Sequence, residues 1–497
     1  MFDLLIQGFA LAFQPQNIIF ILLGVVIGQI VGALPGLGPA AGMALLLPLT
    51  FGLPPATAIM MLAGIMYGGQ YGGTLTSVLI KVPGEASGVM TAIDGHAMAK
   101  RGRAGAALSI SAIGSFLAGV AAVAAVALIT PALAGFALRF NAPEYFLLAL
   151  LGIVAVGSLG GTPLRSLLAG VLGLMIALVG ADPLTGAPRL TFNQSFLLEG
   201  IDFIPVAIGL FGIAEVLASL ERRHEAEPIR TRLRDMWLTT EDWVKCRLAI
   251  VRGGVVGLFV GIMPGAGASV ASMLAYLLER KVSSTPEMFG SGAIDGVAAA
   301  ESANNSAAHG ALIPMLSLGI PGSASTAVLL AALVLHGIRP GPSLMTQEAP
   351  LVWGLIASMF VGNVFLLVIN LPLAPLFASV LRIPYVYLAP AILAISLVGA
   401  YAATLSISTV WMCIAFGLLG WLMMKLDVPR APLVLAVVLA PLLETSLRQA
   451  LLLSFGSPMI FLERPISAVL LAVVVVALFG PLFARFRGKG SQLPAKP

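Results

Sequence analysis

The sequence predicts an all-α, polytopic membrane protein of about 12 membrane segments, arranged as an inverted repeat with re-entrant or broken helices. Three observations carry this. Of 497 residues, 59% are hydrophobic and only 10% are Asp, Glu, Lys or Arg, with a mean hydropathy of +1.02. A soluble domain carries about 25% charged residues to clothe its surface, so most of this surface faces something other than water. Apolar stretches of membrane-crossing length recur along the chain, and two Pro-Gly motifs appear twice in the same order.

The stretches that can cross a hydrocarbon core of about 30 Å are 17–34, 55–72, 106–134, 143–158, 164–180 and 201–220, then 252–278, 351–371, 385–403, 405–424, 431–450 and 464–484. Residues 1–16 read as a short interfacial helix that stays attached, because no basic n-region precedes them. The one long polar segment, 221–252, carries eight Lys/Arg and six Asp/Glu. It divides the chain into a first membrane half, 1–220, and a second, 253–484, followed by a tail at 485–497. Basic loops stay inside, so Lys100–Arg103, the 221–252 loop and the tail at Arg485, Arg487 and Lys489 are expected in the cytoplasm. The N-terminus is then periplasmic. The net charge of +5 belongs to these loops and does not call for nucleic acid. Cys246 and Cys413 stand far apart, without metal or disulfide spacing.

The duplication is short but ordered. Gly32-Ala-Leu-Pro35-Gly36-Leu-Gly38 returns in the second half as Gly261-Ile-Met-Pro264-Gly265-Ala-Gly267. Pro83-Gly84-Glu85-Ala86-Ser87 returns as Pro321-Gly322-Ser323-Ala324-Ser325, at a slightly larger offset. Equivalent flanks carry basic charge in one half and little in the other, which indicates inversion. Pro lacks an N–H and Gly accepts unusual dihedrals, so each Pro-Gly interrupts a helix. Freed N–H groups of a restarted helix then favour an anion in a midplane cavity.

Segments 74–87 and 311–326 therefore read as hairpin tips. Thr74, Thr76, Ser77 and Ser87, with Ser317, Ser323, Ser325 and Thr326, supply hydroxyls beside the breaks. Lys81 and Glu85 flank Pro83-Gly84 in apolar surroundings, where an unpaired charge is expensive. Two readings stand: they neutralise one another, or Lys81 meets a substrate carboxylate and Glu85 serves cation or proton coupling. Glu301, Asn304 and Asn305 form a second polar cluster, suited to Na⁺, to a carboxylate, or to helix-helix hydrogen bonding. The repeated Ala-Ile-Asp-Gly at Asp94 and Asp295 falls on opposite sides of the Pro-Gly motifs and reads as coincidence. His96, His224, His309 and His336 lack catalytic or ligand spacing, and Tyr67 and Tyr71 read as packing or cavity-rim residues. Glu215, Glu444 and Arg448 are expected to snorkel from helix ends.

These stretches closely resemble the large membrane subunit of the tripartite tricarboxylate transporters, the TctA family. The resemblance is carried by GALPGLGPAAGMALLLPLTFGLPPATAIMMLAGIMYGGQYGGT, KVPGEASGVMTAIDGHAMAKRGRAGAAL and IDFIPVAIGLFGIAEVL, then by GIMPGAGAS and ESANNSAAHGALIPMLSLGIPGSASTAVLLAALVLHGIRPGP. It implies a bacterial inner-membrane symporter of organic anions, driven by a Na⁺ or H⁺ gradient and needing no other cofactor. It also implies a small membrane subunit and a periplasmic solute-binding protein as partners. Lys81 stands where the family pattern expects a neutral polar residue, so citrate is not carried over as the substrate. An intramembrane enzyme is the contrasting class, but HExxH, GxSxG and paired intramembrane Asp motifs are absent. A channel fares no better, for nothing resembles a repeated filter or a charged ring.

Overall fold

The computed structural model describes residues 2–34, 37–159, 163–182, 185–221, 229, 233–263, 267–380 and 385–487. The first half contains α1 (Phe2–Ala12), α2 (Pro15–Gly32), α3 (Gly38–Leu46), α4 (Pro55–Ile80), α5 (Val89–Lys100), α6 (Ala104–Ala137), α7 (Ala142–Leu159) and α8 (Pro163–Ala177). A two-stranded antiparallel ribbon, β1 (Gly180–Ala181) and β2 (Pro188–Arg189), precedes α9 (Phe203–Ala207) and α10 (Ala214–Glu221). A π-helical stretch, Ile208–Ile213, joins those last two helices.

The second half contains α11 (Thr240–Ile262), α12 (Gly267–Val282), α13 (Ile294–Gly310), α14 (Leu312–Leu318), α15 (Ala324–Leu335), the short α16 (Leu344–Gln347) and α17 (Ala349–Val380). It continues with α18 (Tyr385–Thr404), α19 (Ile407–Lys425), α20 (Ala431–Leu453), the short α21 (Ile460–Glu463) and α22 (Pro465–Arg487). The all-α expectation holds. Among the described residues seven helices are long and apolar enough to cross a membrane, including α2, α6, the Phe203–Glu221 run and α20. α4 and α13 are not among them: α4 is rich in Gly, Tyr and Thr, and α13 has 17 residues and carries Glu301, Asn304 and Asn305.

Local chemistry sets the helix starts. Pro15 and Pro55 occupy first-turn positions, where no N–H is needed. Thr239 and Asp242 form a capping box on α11, and Ser323 with Thr326 forms another on α15. The apolar run 252–278, expected as one span, is instead two helices with a break after Ile262. Arg252, midway along α11, pairs with Glu279 near the end of α12, Nε to Oε2 at 2.8 Å. The two helices therefore run antiparallel on either side of the Gly-x-x-Pro-Gly-x-Gly motif, of which residues 264–266 lie outside the described residues. A hydropathy window averages over a break this short and cannot see it.

The chain divides into two compact units, residues 1–138 with 202–425, and residues 139–201 with 426–497. In the first, glycines let backbones touch. A Cβ at Gly24, Gly28 or Gly32 on α2 would stand 2.3, 2.4 or 2.1 Å from the carbonyl oxygens of Met61, Ile65 and Gly69 on α4. A Cβ at Gly253, Gly257 or Gly261 on α11 would stand 2.4, 2.4 or 2.5 Å from the carbonyls of Ala299, Ala303 and Ala307 on α13. The two glycine sets are related by the same offset as Gly32 and Gly261, and the two carbonyl sets by the same offset as Pro83 and Pro321. The duplication thus extends to atomic packing. Small-residue ladders of this kind are what close helix packing in a membrane requires.

Two further features of this first unit bear on orientation. Arg103 pairs with Asp242 at 2.6 Å, and the Ser109 hydroxyl donates to the Met236 carbonyl at 2.6 Å. The Lys100–Arg103 loop and part of the long polar segment thus lie together. The N-terminal helix α1 packs on α17 where Gly8 meets the Trp353 carbonyl.

In the second unit, α7, α8, α20 and α22 pack around one another. Arg448 meets Asp182 at 2.7 Å and Glu444 at 2.7 Å, while Arg189 meets Glu444 at 2.6 Å. Glu444 and Arg448 are therefore members of an ion-pair cluster anchoring the β ribbon, which corrects their reading as snorkelling groups. Arg464 covers the fully buried Glu144 at 2.6 Å. Sequence spacing gives no sign of partners so distant along the chain.

Candidate functional site

The interior of the first unit is polar along one seam. On α4, Tyr67, Tyr71 and Thr74 recur at helical spacing, and on α13 Glu301, Asn304, Asn305 and His309 do the same. All seven are buried. The Thr74 hydroxyl donates to Glu301 Oε2 at 2.8 Å, and the Thr91 hydroxyl on α5 donates to the other carboxylate oxygen. Among the described residues no ion pair joins Glu301 to a cation. Asn305 donates to the Ser115 hydroxyl on α6 at 2.6 Å.

His309 is locked in one neutral form. Its Nδ1 donates to the Asn305 carbonyl at 2.7 Å, so Nε2 is left as the acceptor. Asn363 Nδ2 donates to it at 3.0 Å, and the same amide nitrogen donates to the Met359 carbonyl at 2.8 Å, which fixes its orientation. Tyr67 stacks on the imidazole with ring centroids 4.8 Å apart and planes 8° from parallel. Tyr71 uses its hydroxyl on the Leu108 carbonyl at 2.9 Å. Tyr67 Oη, Asn304 Oδ1, Gln70 Oε1 and both side-chain amide atoms of Gln29 are buried with no protein partner. Each such group raises the question of what it binds.

The breaks flank this seam. Pro35, Gly36 and Gly265 lie outside the described residues, but the glycines that restart the helices are described: Gly38 has φ +61° and Gly267 φ +63°. Only glycine takes that conformation without strain. α4 ends with Lys81 at φ 59°, and Val82 N–H reaches back to the Thr76 carbonyl at 3.3 Å. α14 ends with Gly319 at φ 72°, and Ile320 N–H reaches the Pro314 carbonyl at 3.3 Å. These are matching Schellman-type ends, at positions equivalent by the offset that relates Pro83 to Pro321. Glu85 and Ser323 then take the same extended backbone, φ −144° and −153° with ψ 169°. Pro83 and Pro321 precede these turns, and a Cβ on Gly84 would meet the Gly32 carbonyl oxygen at 2.6 Å and the Gly73 Cα at 2.6 Å. One on Gly322 would meet the Ala311 side chain at 2.9 Å.

The predicted hydroxyls separate into two groups. Thr76, Ser77 and Ser317 donate to carbonyls of their own helices, Gly73, Gly73 and Ile313, at 2.9, 2.8 and 2.6 Å. Thr74 faces Glu301, Ser87 donates to Glu85, and Ser323 and Thr326 cap α15, whose first turn also holds Ser325. Lys81 is exposed, and among the described residues no ion pair joins it to Glu85. Sequence reasoning missed Thr91, Ser115, His309 and Asn363. His309 was within reach, since it lies two turns along the same face as Glu301; Thr91 comes from a different half of the chain than its partner.

Broken helices, repeated close-packed helix pairs and a buried polar seam define a multi-pass membrane protein with an internal site. The chain belongs to the Tripartite tricarboxylate transporter TctA family, whose sequence model matches residues 18–435. It is 44% identical over 487 residues to an Agrobacterium vitis protein described as an uncharacterized 52.8 kDa protein in the TAR-I ttuC' 3'region, covering 98% of this chain and 97% of that one. A second Agrobacterium vitis protein, described as an uncharacterized protein in the TAR-II ttuC' 3'region, is 41% identical over 237 residues, covering 48% of this chain and 98% of the relative. No solved structure matches the chain.

Proposed function

We propose that the protein is the large membrane subunit of a tripartite carboxylate transporter. It takes up an organic di- or tricarboxylate across the bacterial inner membrane by secondary active symport with Na⁺ or H⁺. A periplasmic solute-binding protein delivers the substrate, and a small membrane subunit completes the assembly. The chain works as two inverted membrane halves, 1–220 and 253–484, with the 221–252 loop and the 485–497 tail in the cytoplasm and the N-terminus in the periplasm.

One observation carries this reading. α4 and α13 are equivalent by the offset that relates Pro83 to Pro321, yet they run antiparallel where they touch, Tyr67 against His309 and Thr74 against Glu301. Repeats related by an axis along the membrane normal would keep equivalent helices parallel; an axis in the membrane plane reverses them. The crossing falls near Gly69 and Ala307, the carbonyls that receive the last glycines of α2 and α11. Two hairpins therefore end at the level where such transporters bind substrate.

In this reading the substrate carboxylates meet the tips around Pro35, Gly36, Gly38, Pro83, Gly84 and Ser87, and around Gly265, Pro321, Gly322, Ser323, Ser325 and Thr326. Asn304 and Asn305 reach the substrate from the seam. Glu301, Asn305 and Glu85 serve the coupling ion, with Thr74 orienting Glu301. Thr76, Ser77 and Ser317 shape the breaks through their own helices, and Lys81 marks the cytoplasmic end of α4. The test is uptake of labelled carboxylate by Ser87→Ala and Ser325→Ala variants. Each is expected to weaken apparent affinity at an unchanged protein level; unchanged uptake and affinity in both would remove the tips from the site.

A further inference from the structure

Asp94 on α5 is fully buried, and among the described residues no ion pair reaches it. Its Oδ1 accepts the backbone N–H groups of Gly290 at 2.8 Å and Gly292 at 2.7 Å, and its Oδ2 accepts the Tyr276 hydroxyl at 2.7 Å. Successive N–H groups aimed at one carboxylate form an anion-binding concavity. The turn is built for it. Gly290 and Gly292 have φ +92° and +118°, and a Cβ on Gly296 would crowd Asp94 Oδ2 at 3.1 Å and the Tyr276 ring at 3.0 Å. All three donors lie in the second half of the chain, on α12 and the turn before α13, while the carboxylate belongs to the first.

The contact lies on the side of the basic loops, because α5 ends at Lys100 and the following Arg103 pairs with Asp242. The duplication identifies the equivalent positions on the opposite side. Asp94 corresponds to Ala332 and Tyr276 to Leu47, both buried and both apolar. The polar contact found near them is Thr50 Oγ1 with His336 Nε2, at 3.3 Å. One side is thus joined by three hydrogen bonds to a buried carboxylate, two from backbone N–H groups and one from the Tyr276 hydroxyl. The other is joined by apolar packing and one long contact.

We propose that Asp94 is a latch holding the two halves together on the basic side, so that the empty carrier rests closed there and opens first toward the opposite side. This rests on the transport reading, since a latch of this kind matters to a protein that exposes its site alternately. Binding must then supply enough free energy to part Asp94 from the 290–292 turn before release into the cytoplasm.

The test reads accessibility. Val297 is fully buried and lies beside α5, 3.8 Å from a Cβ placed on Gly95. In a background with Cys246→Ala and Cys413→Ala, Val297→Cys is exposed to a membrane-impermeant maleimide in inside-out and right-side-out vesicles. Adding Asp94→Ala is expected to raise the labelling rate in inside-out vesicles about tenfold or more, and Tyr276→Phe, which removes one bond and keeps the ring, about threefold. Labelling from right-side-out vesicles is expected not to rise. Equal rates with and without these changes would overturn the latch, as would an Asp94→Ala increase of the same size from both faces. Should Asp94→Ala fail to accumulate, Tyr276→Phe decides alone. Labelling needs no substrate, so absent carboxylate uptake would defeat the transport reading without altering this result.

Discussion

Replacing Gly32 or its equivalent Gly261 with Ala tests the duplicated packing. The added Cβ would lie 2.1 Å from the Gly69 carbonyl oxygen in the first case and 2.5 Å from the Ala307 carbonyl oxygen in the second. Ordinary contact needs about 3.5 Å, so each helix pair must part by roughly 1 Å. The obstacle is backbone within a helix and cannot swing aside like a side chain. A gap of that size forfeits a quarter to a half of each dispersion contact along the seam, and overpacking of this kind costs about 1–3 kcal/mol. The removal of a helical glycine returns at most about 1 kcal/mol. Gly135→Ala on α6 is the control, because a Cβ there meets nothing within 4 Å. Thermal unfolding of the purified protein in one detergent should place Gly32→Ala and Gly261→Ala clearly below wild type, with Gly135→Ala unchanged or slightly higher. Wild-type stability in both ladder variants, or equal damage from Gly135→Ala, would refute the argument.

Other consequences can be measured alongside it. Arg464→Met uncovers the carboxylate of Glu144 and should cost about 2 kcal/mol, less than in a fully buried pair because Arg464 is 38% exposed. Adding Glu144→Gln should recover most of that loss in the same melting assay. Thr91→Val removes one of two hydroxyl donors to Glu301 and should raise the coupling-cation concentration needed for half-maximal uptake, leaving the melting temperature near wild type. A wild-type cation dependence would dissociate Thr91 from coupling. Burial alone would raise the Asp242 carboxyl, but hydrogen bonds from Arg103 and Thr239 outweigh it and hold the group below its ordinary range. A depressed folded-state value stabilises the fold above the unfolded value of about 3.9, and the contribution is lost as pH falls through the folded value. Arg103→Gln should therefore show a smaller drop in melting temperature than wild type between neutral pH and pH of about 3.

Much of the architecture was legible because breaks and close contacts need particular residues. Pro-Gly and the αL glycines at Gly38, Gly267 and Gly319 write the interruptions into the sequence, and the two motif offsets also relate the α2–α4 pair to the α11–α13 pair seen in the structure. Lys81 shows the limit of that logic, since it holds with a side chain the turn that Gly319 makes without one. Hydropathy misjudged 252–278, where a short break between apolar arms leaves the average unchanged. The polar seam was half legible. Glu301, Asn304 and Asn305 announced themselves as polar groups in an apolar run, but the side-chain partners of Glu301 and Asn305 come from distant segments, through Thr74, Thr91 and Ser115. Asp94 was dismissed because its motif match with Asp295 was accidental. Two of its three partners are backbone N–H groups, which no residue type reveals, and the third, Tyr276, is distant along the chain.

The most direct test of the central claim is carboxylate accumulation in vesicles containing this chain, its small membrane subunit and the periplasmic binding protein. The account predicts that labelled di- or tricarboxylate concentrates inside only when a Na⁺ or H⁺ gradient is imposed and the loaded binding protein is present outside. Equilibration to equal concentrations without a gradient, or chemical conversion of the carboxylate without accumulation, would contradict it.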